Sequence, residues 1–241
     1  MKRRFSMKKS GRNIVLCLLA LVVIAGCAKT KVTSRQRLVT GDLPRPETIW
    51  VYDFVATPAD VPADSEFVGQ YETVPQTSEQ IATGRELGAQ IAAELVKRIR
   101  DMGLPAARVS APTRLKVNDL VFKGYLLSID EGSAAKRIAI GFGSGTSQLK
   151  TAVEGFQVTA QGLRKLGSGT VDSAGSKGPG AATSLGTAIA TGNPVGLIVS
   201  TGAKVYGEAS GKTTIEGRAD ATAKEIADVL QKRFQEQGWV Y

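Results

Sequence analysis

A short apolar segment that ends at a cysteine determines which part of this chain is left to fold. Residues 14–24 are apolar, six basic residues precede them, and Ala25 and Gly26 lead into Cys27. This run is too short for a membrane-spanning helix, which needs about 20 residues, but it suits a signal peptide. Small residues before a cysteine are typical of a bacterial lipoprotein signal. We expect residues 1–26 to be a removed signal peptide and Cys27 to be diacylated; the alternative is an ordinary secretory signal with a chance cysteine.

The net charge of the exported chain is much smaller than that of the whole sequence. The full chain has 31 Lys and Arg against 22 Asp and Glu, a formal charge of +9. Six of the basic residues and none of the acidic ones lie in the signal segment, so the remainder carries about +3. A charge that small gives no reason to propose nucleic-acid binding. We expect the chain to contact a membrane through its lipid, and no nucleic acid.

The chain lacks the residues on which most catalytic and metal sites depend. It has no histidine, Cys17 leaves with the signal, and Cys27 is committed to the lipid. This composition excludes histidine relays, imidazole ligands, a disulfide in the domain and zinc sites built from Cys and His. The closest acidic pair, Asp130–Glu131, precedes Gly132, which is typical of a solvated turn. We expect a protein that is not an enzyme and that carries no cofactor or metal.

The residues after the cysteine are predicted to separate the lipid from a single domain. Residues 27–47 are polar, contain Pro44 and Pro46, and have no apolar periodicity, so we predict a flexible tether. Residues 48–55 are rich in β-branched and aromatic side chains and predict the first strand. The single periplasmic domain is then predicted over residues 48–241, a length that suits one well-buried core.

A long amphipathic helix is the clearest element in the sequence. Apolar residues recur at three- and four-residue steps over residues 81–102. Thr77 and Gln80 have the spacing of a capping box at its start, and Gly103 followed by Pro105 predicts its end.

The order of the remaining elements predicts the fold class. A second helix is predicted over residues 219–237, with Thr222 and Glu225 at capping-box spacing and Gly238 at its end. Between the helices, three runs predict strands: residues 107–109, 119–130 and 149–160. We therefore predict an α+β domain with a mixed or antiparallel sheet and helices packed on one face.

Residues 162–180 are open to two interpretations. Their many glycines and serines, with Arg164, Lys165 and Lys177, predict a mobile loop. Residues 163–172 could instead extend the preceding strand as a hairpin.

A glycine-rich stretch over residues 136–147 is the first candidate contact site. Arg137 stands beside Gly141, Gly143 and Gly145, whose spacing exposes backbone amides. The spacing matches neither phosphate-binding glycine motif, so a bend between strands is the simplest interpretation. Contact with an anion or glycan, or docking of a partner, are the alternatives.

An Ala- and Gly-rich stretch over residues 181–207 is the second candidate site. It is nearly free of charge, and Gly192 and Gly196 have the GxxxG spacing that allows close helix packing. We predict a helical insertion, in two short helices, packed on the domain or against a partner. Insertion into a membrane within an oligomer and a flexible insertion are the alternatives.

The sequence resembles a family of bacterial envelope lipoproteins known as domain of unknown function 4410. The resemblance rests on an early strand, a long strand with its turn, the Arg137 stretch, and the C-terminal helix with its end: residues 51–54, 123–132, 137–145 and 238–239. It implies an envelope protein of a Gram-negative bacterium. Because Ala28 rather than Asp follows the lipidated cysteine, the usual sorting rule implies the outer membrane, facing the periplasm.

These observations predict a membrane-anchored lipoprotein that binds or scaffolds other envelope components without catalysis. Its partner is expected to be another envelope protein or a second copy of the chain. The alternative is an oligomeric secretion or export pore that inserts residues 181–207 into the outer membrane.

Overall fold

A computed structural model describes residues 29–68, 76–110, 113–130, 147–174 and 214–241. Within these ranges lie a short 3-10 turn, Pro58–Asp60, and six strands and two long helices. In chain order these are β1 (Lys29–Arg37), β2 (Ile49–Tyr52), α1 (Ser78–Asp101), β3 (Ala106–Val109), β4 (Leu120–Asp130), β5 (Gln148–Thr159), β6 (Gly162–Ala174) and α2 (Ile215–Glu236).

The described strands form one mixed sheet in the order β1-β6-β5-β4-β2-β3. Strands β1, β6, β5 and β4 pair antiparallel, whereas β2 pairs parallel with both β4 and β3. The chain passes through α1 between β2 and β3, as parallel neighbours require a crossover. The predicted α+β class with a mixed sheet is confirmed.

Helix α1 begins and ends where the sequence predicts. The Thr77 side chain accepts a hydrogen bond from the Gln80 backbone, and the Gln80 side chain accepts one from the Thr77 backbone, which completes the capping box. Gly103 follows the helix with a φ of 85°, a conformation that glycine adopts without strain.

Helix α2 begins four residues earlier than predicted. Thr214 is its N-cap and accepts a hydrogen bond from the Gly217 backbone. Thr222 is buried inside the helix, so its capping-box spacing with Glu225 is coincidental and that part of the prediction is wrong. The predicted end is confirmed, because Gly238 has a φ of 67° just after the last turn.

Both helices pack on one face of the sheet, as predicted, and form the main core with it. The apolar stripe of α1 meets β2 and β4, and that of α2 meets β5, β6 and β1. The opposite face carries smaller apolar clusters, one of which packs Phe67 against Tyr125 and Leu127. Neither helix is long and apolar enough to cross a bilayer, as far as the described residues go.

The predicted flexible tether is wrong for residues 29–37, because they form β1. This strand pairs with β6 from Lys29 opposite Ala174 to Arg37 opposite Gly167. The chain beyond β1 is also held, since the Leu43 amide donates to the Gln237 side chain. A polar edge strand has little apolar pattern, because its pairing partner rather than its own burial determines its conformation.

The mobile loop predicted over residues 162–180 is wrong for residues 162–174, where the hairpin interpretation is confirmed. Strand β6 pairs with β5 along its length, and Gly162 supplies the turn with a φ of 120°.

The strand register defines two opposite ends of this sheet. At one end, which we call the Lys29 end, β1, β6, β5 and β4 meet in one row: Lys29, Ala174, Gln148 and Asp130. At the other, the Arg37 end, the same strands align in a second row: Arg37, Gly167, Gly155 and Phe122.

Candidate functional site

The sites proposed from the sequence all lie outside the described residues. Cys27 precedes Lys29, and the two other groups fall within residues 131–146 and 175–213. These groups are the Arg137 stretch (Arg137, Gly141, Gly143, Gly145) and the GxxxG pair (Gly192, Gly196). Chain connectivity alone relates them to the sheet, since both segments begin at its Lys29 end, after Asp130 and after Ala174.

A charged cluster that the sequence did not predict lies on the face opposite the helices. Glu154 on β5 is fully buried, and Lys165 on β6 donates to its carboxylate at 2.6 Å. The Tyr125 hydroxyl donates to the second oxygen at 2.6 Å, and the Glu66 backbone amide donates at 3.3 Å. Lys165 also lies 3.1 Å from the Glu66 carboxylate. The cluster thus satisfies its buried charge from several directions.

The ionisation of this cluster argues against acid–base catalysis by it. Burial opposes the charge of Glu154, but hydrogen bonds from Lys165, Tyr125 and Ser65 outweigh it and lower its pKa. Burial also disfavours the charge of Lys165, yet its bonds to Glu154 and Glu66 raise its pKa. Burial, followed by the bond to Glu154, raises the pKa of Tyr125. A general base needs a pKa near the operating pH, whereas these shifts lead away from it. The cluster is therefore suited to holding the sheet to the segment that carries Glu66.

A second buried carboxylate, Asp119, serves as a local cap. It accepts hydrogen bonds from the Thr48 and Lys116 amides and from the Trp50 indole at 2.8–3.1 Å. Asp119 therefore ties the start of β4 to the start of β2. Among the described residues, no group of three or more Asp, Glu, His or Cys is placed to hold a metal ion.

Arg218, in the first turns of α2, is buried without a charged partner among the described residues. Its Nε donates to the Ser147 hydroxyl at 3.3 Å, and its two terminal nitrogens have no hydrogen-bond partner there. Burial lowers the pKa of its guanidinium. Burial of a charge is costly, and within the described part of the chain only the Ser147 hydroxyl compensates for it at Arg218.

An apolar cavity lies between α2 and the sheet at the Arg37 end. It has a volume of about 160 Å³. Its apolar lining includes side chains from β5, β6, α2 and the residues after α2: Val153, Leu166, Val171, Ile226, Val229, Leu230 and Trp239. Gly155, Gly167 and Gly169 also line it. A Cβ at Gly167 would collide with the Gln36 carbonyl, so glycine there lets β1 approach closely.

Three arginines surround the exposed side of this cavity, and we call them the arginine rim. Arg35 and Arg37 project from β1, and Arg233 projects from α2. Arg37 and Arg233 share the carboxylate of Glu236 at 3.3 and 3.0 Å. The bond from Arg233, helped by the charges of Arg37 and Arg35, lowers the pKa of Glu236. Three guanidinium groups against one carboxylate leave the rim positively charged.

Sequence reasoning missed this cavity because no single segment encodes it. Its lining is drawn from β1, β4, β5, β6 and α2, and its two β1 arginines lie in the stretch predicted as a tether. No periodicity or motif in the sequence joins these positions.

The matches among solved structures include two distant ones. A dodecamer of a PelC point variant from Paraburkholderia phytofirmans has 12% identity and a TM-score of 0.35, covering 61% of this chain and 81% of that one. A second PelC dodecamer from the same organism has 13% identity and a TM-score of 0.34, covering 59% and 82%. No curated protein matches the chain.

Comparison with known families gives one match that spans more than half of the chain. The model of the family described as domain of unknown function (DUF4410) matches residues 49–192. The match confirms the resemblance over these residues, whereas α2 and Gly238–Trp239, on which the resemblance also rested, lie outside it. The chain therefore belongs to the family described as domain of unknown function 4410.

Proposed function

We propose that this protein is a non-catalytic binding or scaffolding component of the cell envelope, anchored through a lipid on Cys27 at the periplasmic side of the outer membrane. The observation that carries the proposal is the apolar cavity with its arginine rim, which offers a ready binding site. The buried carboxylates Glu154 and Asp119 are fully engaged within the fold, which favours binding over chemistry at these groups.

The size of the cavity favours one large apolar side chain as its occupant. A cavity of about 150 Å³ lined by aliphatic and aromatic residues accepts a benzene ring. The present cavity, at about 160 Å³, is similar and would take the side chain of a Phe or Leu. Pockets for larger ligands usually exceed about 300 Å³, so a whole acyl chain fits less well.

The charge of the rim favours an acidic residue beside that side chain. Arg35 and Arg37 are exposed, and Glu236 is the one acidic residue of the described ranges that is paired with the rim. A carboxylate on the bound partner would be attracted by the exposed Arg35, whose guanidinium can pair with it in a bidentate manner. The proposed partner is thus an envelope protein that inserts a Phe or Leu flanked by Asp or Glu.

Small peptides test this recognition directly. Trp239 lines the cavity, so its fluorescence reports occupancy. We expect acetyl-Phe-Asp-amide to change the emission saturably and in a salt-sensitive manner, and acetyl-Phe-Asn-amide to bind more weakly. Val229→Phe, which fills the cavity, should abolish the response, and Arg35→Glu should weaken only the response to the Asp peptide.

A matched variant separates site-specific loss from general damage. Val117 is exposed at 56% and does not line the cavity, so Val117→Phe should leave both responses unchanged. Equal responses to the Asp and Asn peptides, or a response that survives Val229→Phe, would contradict the proposed site.

A further inference from the structure

The distance between the proposed lipid and the sheet is very short. Strand β1 begins at Lys29, only two residues after Cys27. Two residues span at most about 7 Å even when fully extended. A lipid on Cys27 therefore holds the first paired residue of the sheet next to the lipid headgroups, without the tether that the sequence predicted.

From this geometry we propose that the Lys29 end of the sheet faces the bilayer and that the Arg37 end, with the cavity, faces away from it. The inference rests on the proposed lipid anchor at Cys27. Because Lys29, Ala174, Gln148 and Asp130 stand in one row, four strands end at this level. The row is about 14 Å wide, at about 4.8 Å between neighbouring strands.

The charge nearest this row is complementary to an anionic membrane surface. Lys31 is two residues after Lys29 on β1 and lies opposite Asp172 of β6. Asp172 in turn lies opposite Lys150 of β5. With Lys29 and Asp130 of the row itself, this part of the sheet has three lysines against two aspartates. Basic residues this close to a bilayer are attracted by acidic headgroups.

The side chains of β1 do not favour an orientation in which this edge strand lies flat on the membrane. Its exposed side chains are all polar: Lys31, Thr33, Ser34, Arg35, Gln36 and Arg37. Interfacial binding of an element along its length requires apolar side chains to bury, and β1 offers none on its exposed side. The upright orientation keeps these groups in water.

In the upright orientation the arginine rim lies on the side of the cavity that is away from the bilayer. From Lys29 to Arg37 the strand rises about 26 Å, at about 3.3 Å per residue. The arginine rim is then presented to the periplasm, where an envelope protein reaches it.

The two native tryptophans allow a test on the full-length chain. Trp50 pairs with Val121, one residue from the row of the Arg37 end, and Trp239 lies in the cavity against Phe234. We would place the full-length lipidated protein in phosphatidylcholine vesicles with and without nitroxide-labelled headgroups, which quench nearby tryptophan. We expect equal emission from both native tryptophans in the two kinds of vesicle.

Two added tryptophans provide the matched comparison. Lys31 and Val117 are both exposed, Lys31 near the Lys29 end and Val117 before β4 at the other. Lys31→Trp should add emission that is lost in the vesicles with labelled headgroups, whereas the emission added by Val117→Trp should persist.

Quenching of the native tryptophans, or equal quenching of the two added ones, would overturn the orientation. The intact mass separates this failure from that of the proposed function. If Cys27 carries a lipid and tryptophans at the Arg37 end are quenched, only the proposed orientation is wrong. If the chain carries no lipid, both the proposed anchor and the orientation are wrong.

Discussion

Glu154 shows at the scale of single residues how this fold uses charge. Its carboxylate is fully buried and still ionised, because Lys165 and Tyr125 both donate to it at 2.6 Å. The glycine- and serine-rich sequence around Lys165 predicted a loop, and nothing in it marked a buried ion pair. Such a pair depends on the register of β5 with β6, which places residues 11 positions apart in contact.

Removing the cation of this pair should destabilise the fold strongly. In Lys165→Met, Glu154 stays buried with one strong partner fewer, and we expect the free energy of unfolding to fall by about 3 kcal/mol at pH 7. Chemical denaturation measures the change. Lys224→Met removes an exposed i,i+4 pair with Asp228 and should cost less than about 1 kcal/mol. Equal effects of the two variants would contradict a stabilising role for the buried pair.

The same pair predicts how stability depends on pH. The pKa of Glu154 is lowered on folding, so its stabilising contribution is present above its unfolded pKa of about 4.3 and is lost as pH falls through the folded pKa. Between pH 7 and acidic pH, wild type should lose more stability than Glu154→Gln, which cannot ionise. A parallel loss in the two proteins would show that other carboxylates dominate.

Removing the charge of Arg218 should stabilise the fold, whereas removing that of Lys165 should destabilise it. Since its terminal nitrogens are buried without a partner among the described residues, Arg218→Met should raise the free energy of unfolding by about 1–2 kcal/mol. Thermal and chemical denaturation measure this, and Arg114→Met, at an exposed position, should be neutral. A fall in stability would mean that the guanidinium is bound to an acidic group.

At the scale of helices and strands, local sequence signals predicted the start of α1 but not the polar edge strand β1. The capping box of Thr77 and Gln80 fixed the start of α1, because both partners lie within one turn of sequence. The same spacing at Thr222 was misleading, since the helix continues toward Thr214. Strand β1 has few apolar residues and is held by its pairing with β6, which no local pattern records.

The packing of α1 on the chain after β2 depends on Gly88. A Cβ there would collide with the Phe54 carbonyl, whose own amide donates to the Gly88 carbonyl at 3.2 Å. Gly88→Ala should therefore lower the free energy of unfolding by about 1–3 kcal/mol through overpacking. Gly41→Ala, where nothing lies within 4 Å, is the control in the same denaturation experiment and should be nearly neutral.

At the scale of the whole molecule, we propose that the two ends of the described sheet serve different functions. The lipid, as proposed, lies beside Lys29, and the cavity with the arginine rim lies at the Arg37 end. The sequence predicted the fold class and the family, which depend on element order. It could not predict the cavity, because residues from β1, β4, β5, β6 and α2 meet there only after folding.

The most direct test of the proposed binding role is site-specific photocrosslinking in the intact envelope. A photoreactive residue at Val229 should form an adduct with one envelope protein, and the crosslinked peptide should contain a Phe or Leu next to an Asp or Glu. The adduct should be lost with Arg35→Glu and absent when the photoreactive residue is placed at Val117. Adducts of lipid mass, or adducts at Val229 that persist in Arg35→Glu, would contradict recognition of an acidic, apolar partner by this cavity.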